Sequence, residues 1–80
     1  MTYSYNGNTI TINLWPTFTD LRQGWQAEVR ITPIKGPTEF RNVRFRRLFD
    51  TKDDAEKYVK AFVEKWMDNG KPEIQPGQLD

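Results

Sequence analysis

The residues best suited to chemistry in this chain are arginines concentrated in one short segment. Four of the seven residues from Arg41 to Arg47 are arginine. A guanidinium group keeps its charge and donates several hydrogen bonds in one plane, which suits phosphate oxygens, and a nearby Asn or Gln amide can read base edges. The segment therefore predicts contact with an anionic partner, with nucleic acid as the first candidate.

These arginines are positioned by a strand in which apolar and polar side chains alternate. Val43, Phe45 and Phe49 can line a core, which directs Arg44 and Arg46 to the opposite face. An alternating strand that precedes this segment has a polar side as well as an apolar side. Its apolar residues are Trp25, Ala27, Val29 and Ile31, and its polar residues are Gln26, Glu28, Arg30 and Thr32.

We expect the polar sides of these strands to form one sheet face that no helix covers. Trp15, at the end of an earlier strand, points to the same face. Arg47 falls on the apolar side of the alternation, so it should lie near a sheet edge or at a bulge. The candidate residues for binding nucleic acid or another partner are Arg30, Arg41, Arg44, Arg46, Arg47 and Trp15.

Two functional hypotheses fit this pattern. The first is a nucleic-acid-binding module, for DNA or RNA, whose arginines share one sheet face and whose affinity falls steeply with salt. Arginines scattered over different faces would contradict it. The second is a protein-interaction, assembly or regulatory subunit, in which the arginines meet an acidic partner, a sheet edge accepts a strand, or exposed Trp15 and Phe18 fill a partner pocket. A structural explanation competes with both, because the wet face of an antiparallel sheet normally carries Arg, Gln and Thr.

The residue types available do not indicate catalysis. The chain has no histidine and no cysteine, which removes the usual general base, thiol nucleophile and zinc ligands. Ser4 is the only serine, and the carboxylates between Asp50 and Glu56 are explained as the acidic first turn of a helix. The five glycines are isolated turn residues. We therefore expect no enzyme activity, no metal, no cofactor and no small-molecule substrate.

The strongest element signal is a helix from Thr51 to Asn69. The Thr51 hydroxyl can cap its first turn, Asn69-Gly70 supplies a left-handed ending, and Pro72 prevents continuation. Its apolar residues recur on one face, which is expected to cover one side of the sheet. They are Ala55, Tyr58, Val59, Phe62, Val63, Trp66 and Met67.

The N-terminal segment contains the strongest hairpin signal. Asn6-Gly7 tolerates the positive φ angles of a two-residue turn, and that turn pairs Tyr5 with Asn8 and Tyr3 with Ile10.

The second strand of this hairpin is expected to stop at Pro16, because proline cannot donate to a ladder. A connection then runs from Thr17 to Gly24, with Phe18 or Leu21 packed back onto the core.

The predicted fold class is α+β, a small antiparallel sheet of three or four strands packed on one face by a single C-terminal helix, in the order β-β-β-(β)-α. A loop through Pro33 and Lys35-Gly36-Pro37 precedes a last strand from Phe40 to Phe49. Residues 1–70 should form one compact domain. Residues 71–80 should form an irregular or disordered tail, or a tail laid across the sheet by Ile74 and Leu79.

The net charge of +1 hides an asymmetry along the chain. Residues 1–47 carry seven basic and three acidic side chains, whereas residues 48–80 have a net charge of −3. The strand half is thus basic and the helix half acidic.

The lack of cysteine, of a signal-peptide pattern and of a long apolar run leads us to expect a cytoplasmic protein without membrane contact. The oligomeric state is not indicated.

At the level of fold, the arrangement resembles the arm-type DNA-binding domains, built from a three-stranded sheet and a helix, that open tyrosine-recombinase integrases. The matching features are a strand beginning with Trp25, a strand ending with Phe49, and the helix start Thr51-Lys52-Asp53-Asp54-Ala55, over about half of the chain. The chain departs from that pattern in its extra N-terminal hairpin, its low net basicity and the lack of a recombinase domain in these 80 residues. The resemblance is an analogy of fold, and it implies DNA binding.

Overall fold

The computed structural model describes residues 1–35 and 41–79, which form a two-layer α+β fold. Its elements are strands β1 (Thr2–Tyr5), β2 (Asn8–Phe18), β3 (Gln23–Pro33) and β4 (Arg41–Arg44), helix α1 (Lys52–Asp68) and a short 3-10 helix (Pro76–Leu79). The four strands form one antiparallel sheet in chain order, and α1 packs against one face of it. The predicted fold class is confirmed. The expected turn at Gly36 and Pro37 and the expected strand start at Phe40 lie outside the described residues.

The first hairpin has the predicted register. Asn6 and Gly7 have φ angles of 50° and 76°, as a two-residue turn of this type requires. Tyr5 pairs with Asn8 and Tyr3 pairs with Ile10.

The prediction that Pro16 ends the second strand is wrong, since β2 continues to Phe18 and Pro16 pairs with Trp25. Ile12 exchanges two backbone hydrogen bonds with Met1, at 2.7 and 3.0 Å, so its backbone groups face β1. Every second residue of a strand faces the same neighbouring strand, and Pro16 is four residues after Ile12. The backbone nitrogen of Pro16, which carries no hydrogen, therefore faces the β1 side of β2. No described residue pairs with β2 there beyond Ile12, so proline removes no ladder bond.

The connection between β2 and β3 is shorter than the predicted segment from Thr17 to Gly24. The Thr19 N–H donates to the Arg22 carbonyl at 2.7 Å and closes a tight turn. The prediction that Phe18 or Leu21 packs onto the core is wrong. Their side chains are 71% and 94% exposed. Both residues lie beyond the pair Pro16–Trp25, and Trp25 is the β3 residue nearest the turn that packs against the core.

The core lies between the sheet and α1. Phe45 is fully buried, with edge-to-face contacts to Phe62 and Tyr58 at centroid distances of 5.1 and 6.0 Å. Aromatic pairs in this geometry add to the free energy gained from buried area. The buried apolar residues are Ile10, Ile12, Ala27, Val29, Ile31, Val43, Phe45, Phe49, Ala55, Val59, Val63 and Met67.

Strand β4 is shorter than predicted because the chain bulges away from β3 after Phe45. Phe45 donates its N–H to Ala27, and Phe49 forms an isolated bridge with Trp25. The segment from Phe45 to Phe49 therefore has two more residues than the β3 segment from Ala27 to Trp25 that it faces. Arg47 lies within this bulge. Because the number of extra residues is even, Phe45 and Phe49 both stay on the core side.

Helix α1 has the predicted ends. The Thr51 hydroxyl accepts a hydrogen bond from the Asp54 N–H at 3.0 Å. At the other end, Gly70 has a φ of 84° and donates to the Met67 carbonyl, while Lys71 donates to Trp66. These two bonds satisfy carbonyls that would otherwise lack partners. Among the described residues, no helix is long and apolar enough to cross a membrane.

The described part of the tail packs against the core. Ile74 and Leu79 are partly buried there, and the Leu79 carbonyl accepts hydrogen bonds from the N–H groups of Arg46 and Arg47 at 2.7 and 3.3 Å. The Trp66 indole N–H donates to the Pro72 carbonyl at 2.6 Å. The tail therefore runs beside β4 and closes that side of the core.

Candidate nucleic-acid interface

Three of the predicted binding residues lie on the sheet face opposite α1, which we call the open face. Trp15 pairs with Gln26, Arg30 pairs with Thr11 and Asn42, and Arg44 pairs with Glu28. All of these positions alternate with core positions, so their side chains share the face away from the helix. The structure therefore brings Trp15, Arg30 and Arg44 to one surface.

Arg44 is the most defined of these side chains. Its guanidinium carbon lies 5.6 Å from the centroid of the Trp15 ring. Its ion pair with Glu28 spans 3.8 Å, and the Arg44 side chain is 65% exposed. An exposed pair at this distance contributes little to stability. The indole therefore supports the guanidinium group while most of its N–H donors stay accessible.

Arg30 is held beside β4 by a side-chain hydrogen bond. Its Nε donates to Asn42 Oδ1 at 3.3 Å. This bond orients a guanidinium group next to an exposed amide, which is a combination of donors and acceptors that can contact phosphates and base edges.

Arg41 and Arg47 lie on the helix side of β4, so the arginines do not share one face. The hypothesis that nucleic acid is bound through a single sheet face is therefore wrong in that form. The guanidinium carbon of Arg41 lies 5.3 Å from the centroid of the Trp66 ring. That of Arg47 lies 5.2 and 5.0 Å from the rings of Phe49 and Tyr58. Arg41 pairs with Ile31, a core position, whereas Arg47 is turned by the bulge.

What these arginines share is the edge of the sheet. Arg46 is also exposed there, with its backbone held by Leu79. We define the basic margin as the exposed arginines of β4 and the segment that follows it: Arg41, Arg44, Arg46 and Arg47. The guanidinium carbons of three of them, Arg41, Arg44 and Arg47, lie 5.2 to 5.6 Å from the centroids of aromatic rings of the protein. Contact with a ring holds a guanidinium group without using its N–H donors, which leaves them for an outside acceptor.

Acidic side chains are close to the basic margin but pair with it weakly. Within residues 1–35 and 41–79, the Arg44–Glu28 contact is the one ion pair within 4 Å. Glu73 shares a cleft of about 270 Å³ with Arg41 and Arg44, between β4 and the tail. Asp50 and Asp54 share a second cleft, also of about 270 Å³, with Arg47. Four carboxylates therefore lie near the four arginines of the margin, and within the described residues only Glu28 comes within 4 Å of one of them.

The exposed end of the β2–β3 hairpin, residues 18–23, which we call the hairpin tip, was not predicted as an element, although an exposed Phe18 was part of the second hypothesis. The clue was the length of the elements. A 17-residue helix is about 25 Å long, whereas an 11-residue strand is about 36 Å long. The strands must therefore project past the helix, but the expected stop at Pro16 concealed this.

Raised pKa values are found at two tyrosines on the opposite side of the molecule. Burial, together with the charge of Glu64 and a hydrogen bond to it at 3.5 Å, raises the pKa of Tyr3 to about 12. The hydrogen bond that Tyr5 donates to Asp68, at 2.8 Å, raises the pKa of that hydroxyl too. Both contacts join β1 to α1, so these shifts belong to the fold and not to the basic margin.

We expect folding stability to fall as the pH rises from 10 to about 12. The unfolded chain loses the Tyr3 proton near pH 10, whereas the folded protein keeps it up to about pH 12. Solvent screening at this half-exposed side chain limits the loss to roughly 1 kcal/mol. Urea unfolding at several pH values should show a smaller decline in the Tyr3→Phe variant. An identical decline in both proteins would contradict the assignment.

In the part of the chain that the structure describes, no three acidic side chains cluster closely enough to hold a metal ion. What the geometry offers is a row of guanidinium groups along one sheet edge. Comparison with protein families, with characterised proteins and with solved structures finds no match for this chain.

Proposed function

We propose that this chain is a DNA-binding module that contacts the phosphates of a duplex through the basic margin and the adjoining open face. The observation that carries the proposal is the contact of Arg41, Arg44 and Arg47 with aromatic rings. Arginines that stabilise a fold usually donate their N–H hydrogen bonds to carboxylates or carbonyls of the protein. Here the guanidinium groups lie over rings, and among the described residues the one carboxylate within 4 Å of them is Glu28, beside Arg44.

The shape of the margin supports a duplex as the partner. Arg44 and Arg30 lie on one side of the β4 edge, and Arg41 and Arg47 lie on the other. Cations on both sides of this edge can contact the phosphates of the two strands that border a groove, while the tail lies beside β4. The major groove of B-form DNA is about 12 Å wide and admits a two-stranded ribbon, whereas that of A-form RNA is too narrow.

The salt dependence of binding follows from the number of cations. If the four arginines of the margin each neutralise one phosphate, the slope of log K against log salt is about −3.6. Affinity should then fall roughly 100-fold between 50 and 200 mM salt. Arginines that only cover the pleat of the sheet would give no such dependence.

The test is an amide NMR titration of the protein with a B-form DNA duplex at low and at moderate salt. We expect shifts at residues 41–47 and at Arg30 that are lost as salt is added. An RNA duplex of the same sequence is the matched ligand and should bind more weakly. No shifts at low salt, where non-specific binding is strongest, would refute the proposal and direct the search to protein partners.

A further inference from the structure

The hairpin tip carries the two most exposed large apolar side chains among the described residues. Phe18 is 71% exposed and Leu21 is 94% exposed. The other exposed large apolar residues, Met1, Ile34 and Tyr58, are less exposed, so Phe18 and Leu21 are the strongest candidates for an apolar contact with a partner.

The tip projects beyond the core. Trp25, the core residue nearest the tip, pairs with Pro16, and Phe18 lies two residues further, which is roughly 7 Å along a strand. Pairing continues to Phe18 and Gln23, and the Thr17 hydroxyl donates to Gln26 Oε1 at 3.2 Å. The projection is therefore a hydrogen-bonded ribbon that presents its apolar end at a fixed position.

The basic margin points toward the same end of the molecule. Arg44 pairs with Glu28, and β4 runs antiparallel to β3, so Arg46 and Arg47 continue toward the tip. Five residues separate Glu28 from Gln23, about 17 Å along the strand, which corresponds to about five base pairs of a duplex. One duplex can therefore contact the margin and the tip together.

We propose that the hairpin tip enters a groove of the duplex bound by the basic margin and inserts Phe18 or Leu21 between two base pairs. The inference rests on the proposed function. Architectural proteins use Phe and Leu side chains as wedges that unstack a base step and bend the helix. Here the insertion supplies the apolar contact, and the margin supplies the phosphate contacts that hold the bent DNA.

The surroundings of the two apolar residues favour a groove over a protein pocket. A stable protein interface needs about 800 Å² of surface on each side, whereas the apolar part of this tip is two side chains. Around them lie Thr19, Arg22 and Gln23, which can contact phosphates and sugars. Asp20 is the acidic residue of the tip, and its carboxylate opposes phosphates, which makes it a useful probe.

The first experiment compares wild type with the double variant Phe18→Ser and Leu21→Ser. A DNA duplex of roughly 20 base pairs carries a donor and an acceptor dye at its ends. Wild-type protein should shorten the distance between the dyes. The variant should bind with the same salt dependence and within about tenfold of the same affinity, because its phosphate contacts remain, but it should leave the DNA straight. Both substitutions are at exposed positions, so the fold should be retained.

The second measurement uses the charge at the tip. Asp20→Asn should raise the affinity for DNA about threefold or more at low salt, because it removes a negative charge from beside the phosphates. Asp53→Asn, at an exposed position of α1, makes the same charge change and should have less effect.

The outcomes separate the two proposals. Equal dye distances for wild type and the Ser variant, with binding retained, would overturn the insertion, leave the basic margin as the interface and make a protein pocket the next partner to test. Equal effects of Asp20→Asn and Asp53→Asn would also overturn it. Failure of wild-type protein to bind at low salt would overturn both the insertion and the proposed function.

Discussion

Replacing Phe45 with alanine should lower the free energy of unfolding by about 3–5 kcal/mol. The side chain is fully buried and touches two rings of α1, Phe62 and Tyr58, edge to face. Truncation removes those contacts and leaves a cavity between sheet and helix that the surrounding rings fill only in part. A domain of this size has a total stability of about 4–12 kcal/mol, so the variant should be close to unfolded at 25 °C.

The measurement is urea unfolding followed by tryptophan fluorescence and by circular dichroism. Phe18→Ala is the matched control, because it removes the same atoms from a side chain that is 71% exposed, and its effect should stay within about 0.5 kcal/mol. If Phe45→Ala does not fold, Phe45→Leu should still show a loss of about 1–2 kcal/mol. Similar losses for Phe45→Ala and Phe18→Ala would contradict the placement of the core.

The features predicted correctly from the sequence depend on short-range rules. Asn6-Gly7 allows a single tight turn, and that turn fixes the pairing of Tyr5 with Asn8 without reference to the rest of the chain. The helix is similar, since its cap at Thr51, its left-handed end at Gly70 and its apolar stripe all lie within one segment. Local agreement of this kind is what makes an element predictable.

The errors occurred where the answer depends on a neighbouring element. Pro16 is compatible with β2 only because no described residue pairs with that side of the strand, a fact about β1 that Pro16 itself cannot reveal. Phe18 follows the alternation of the core residues, yet it is exposed because α1 is shorter than β2. In both cases the local sequence pattern was compatible with the structure, and the neighbouring element, β1 for Pro16 and α1 for Phe18, determined the result.

The binding residues were identified by type, but their arrangement was not. Alternation placed Arg44 on the open face as predicted. The bulge after Phe45 could not be read from the sequence, because a strand and a bulge can carry the same residues. The structure places the guanidinium groups of Arg41 and Arg47 over rings of Trp66, Phe49 and Tyr58. The arginines therefore lie along the β4 edge of the sheet and not on one sheet face as predicted.

The double variant Arg44→Gln and Arg46→Gln should weaken binding to a DNA duplex roughly 100-fold at low salt and lower the magnitude of the salt slope by about two. Both side chains are exposed at the β4 edge, and each is expected to neutralise one phosphate. Fluorescence anisotropy with a labelled duplex over a series of salt concentrations measures both quantities. Circular dichroism should confirm that the fold is retained.

The control is the double variant Lys52→Gln and Lys57→Gln. It removes the same two positive charges from exposed positions of α1, so a global effect of net charge would appear equally in both variants. We expect the control to change affinity by no more than about threefold. Arg44→Lys adds a sharper comparison, because lysine keeps the charge but lacks the planar guanidinium group that lies over Trp15. It should keep the salt slope and lose affinity. Equal losses in both double variants would show that the arginines act through net charge alone and that the basic margin is not an interface.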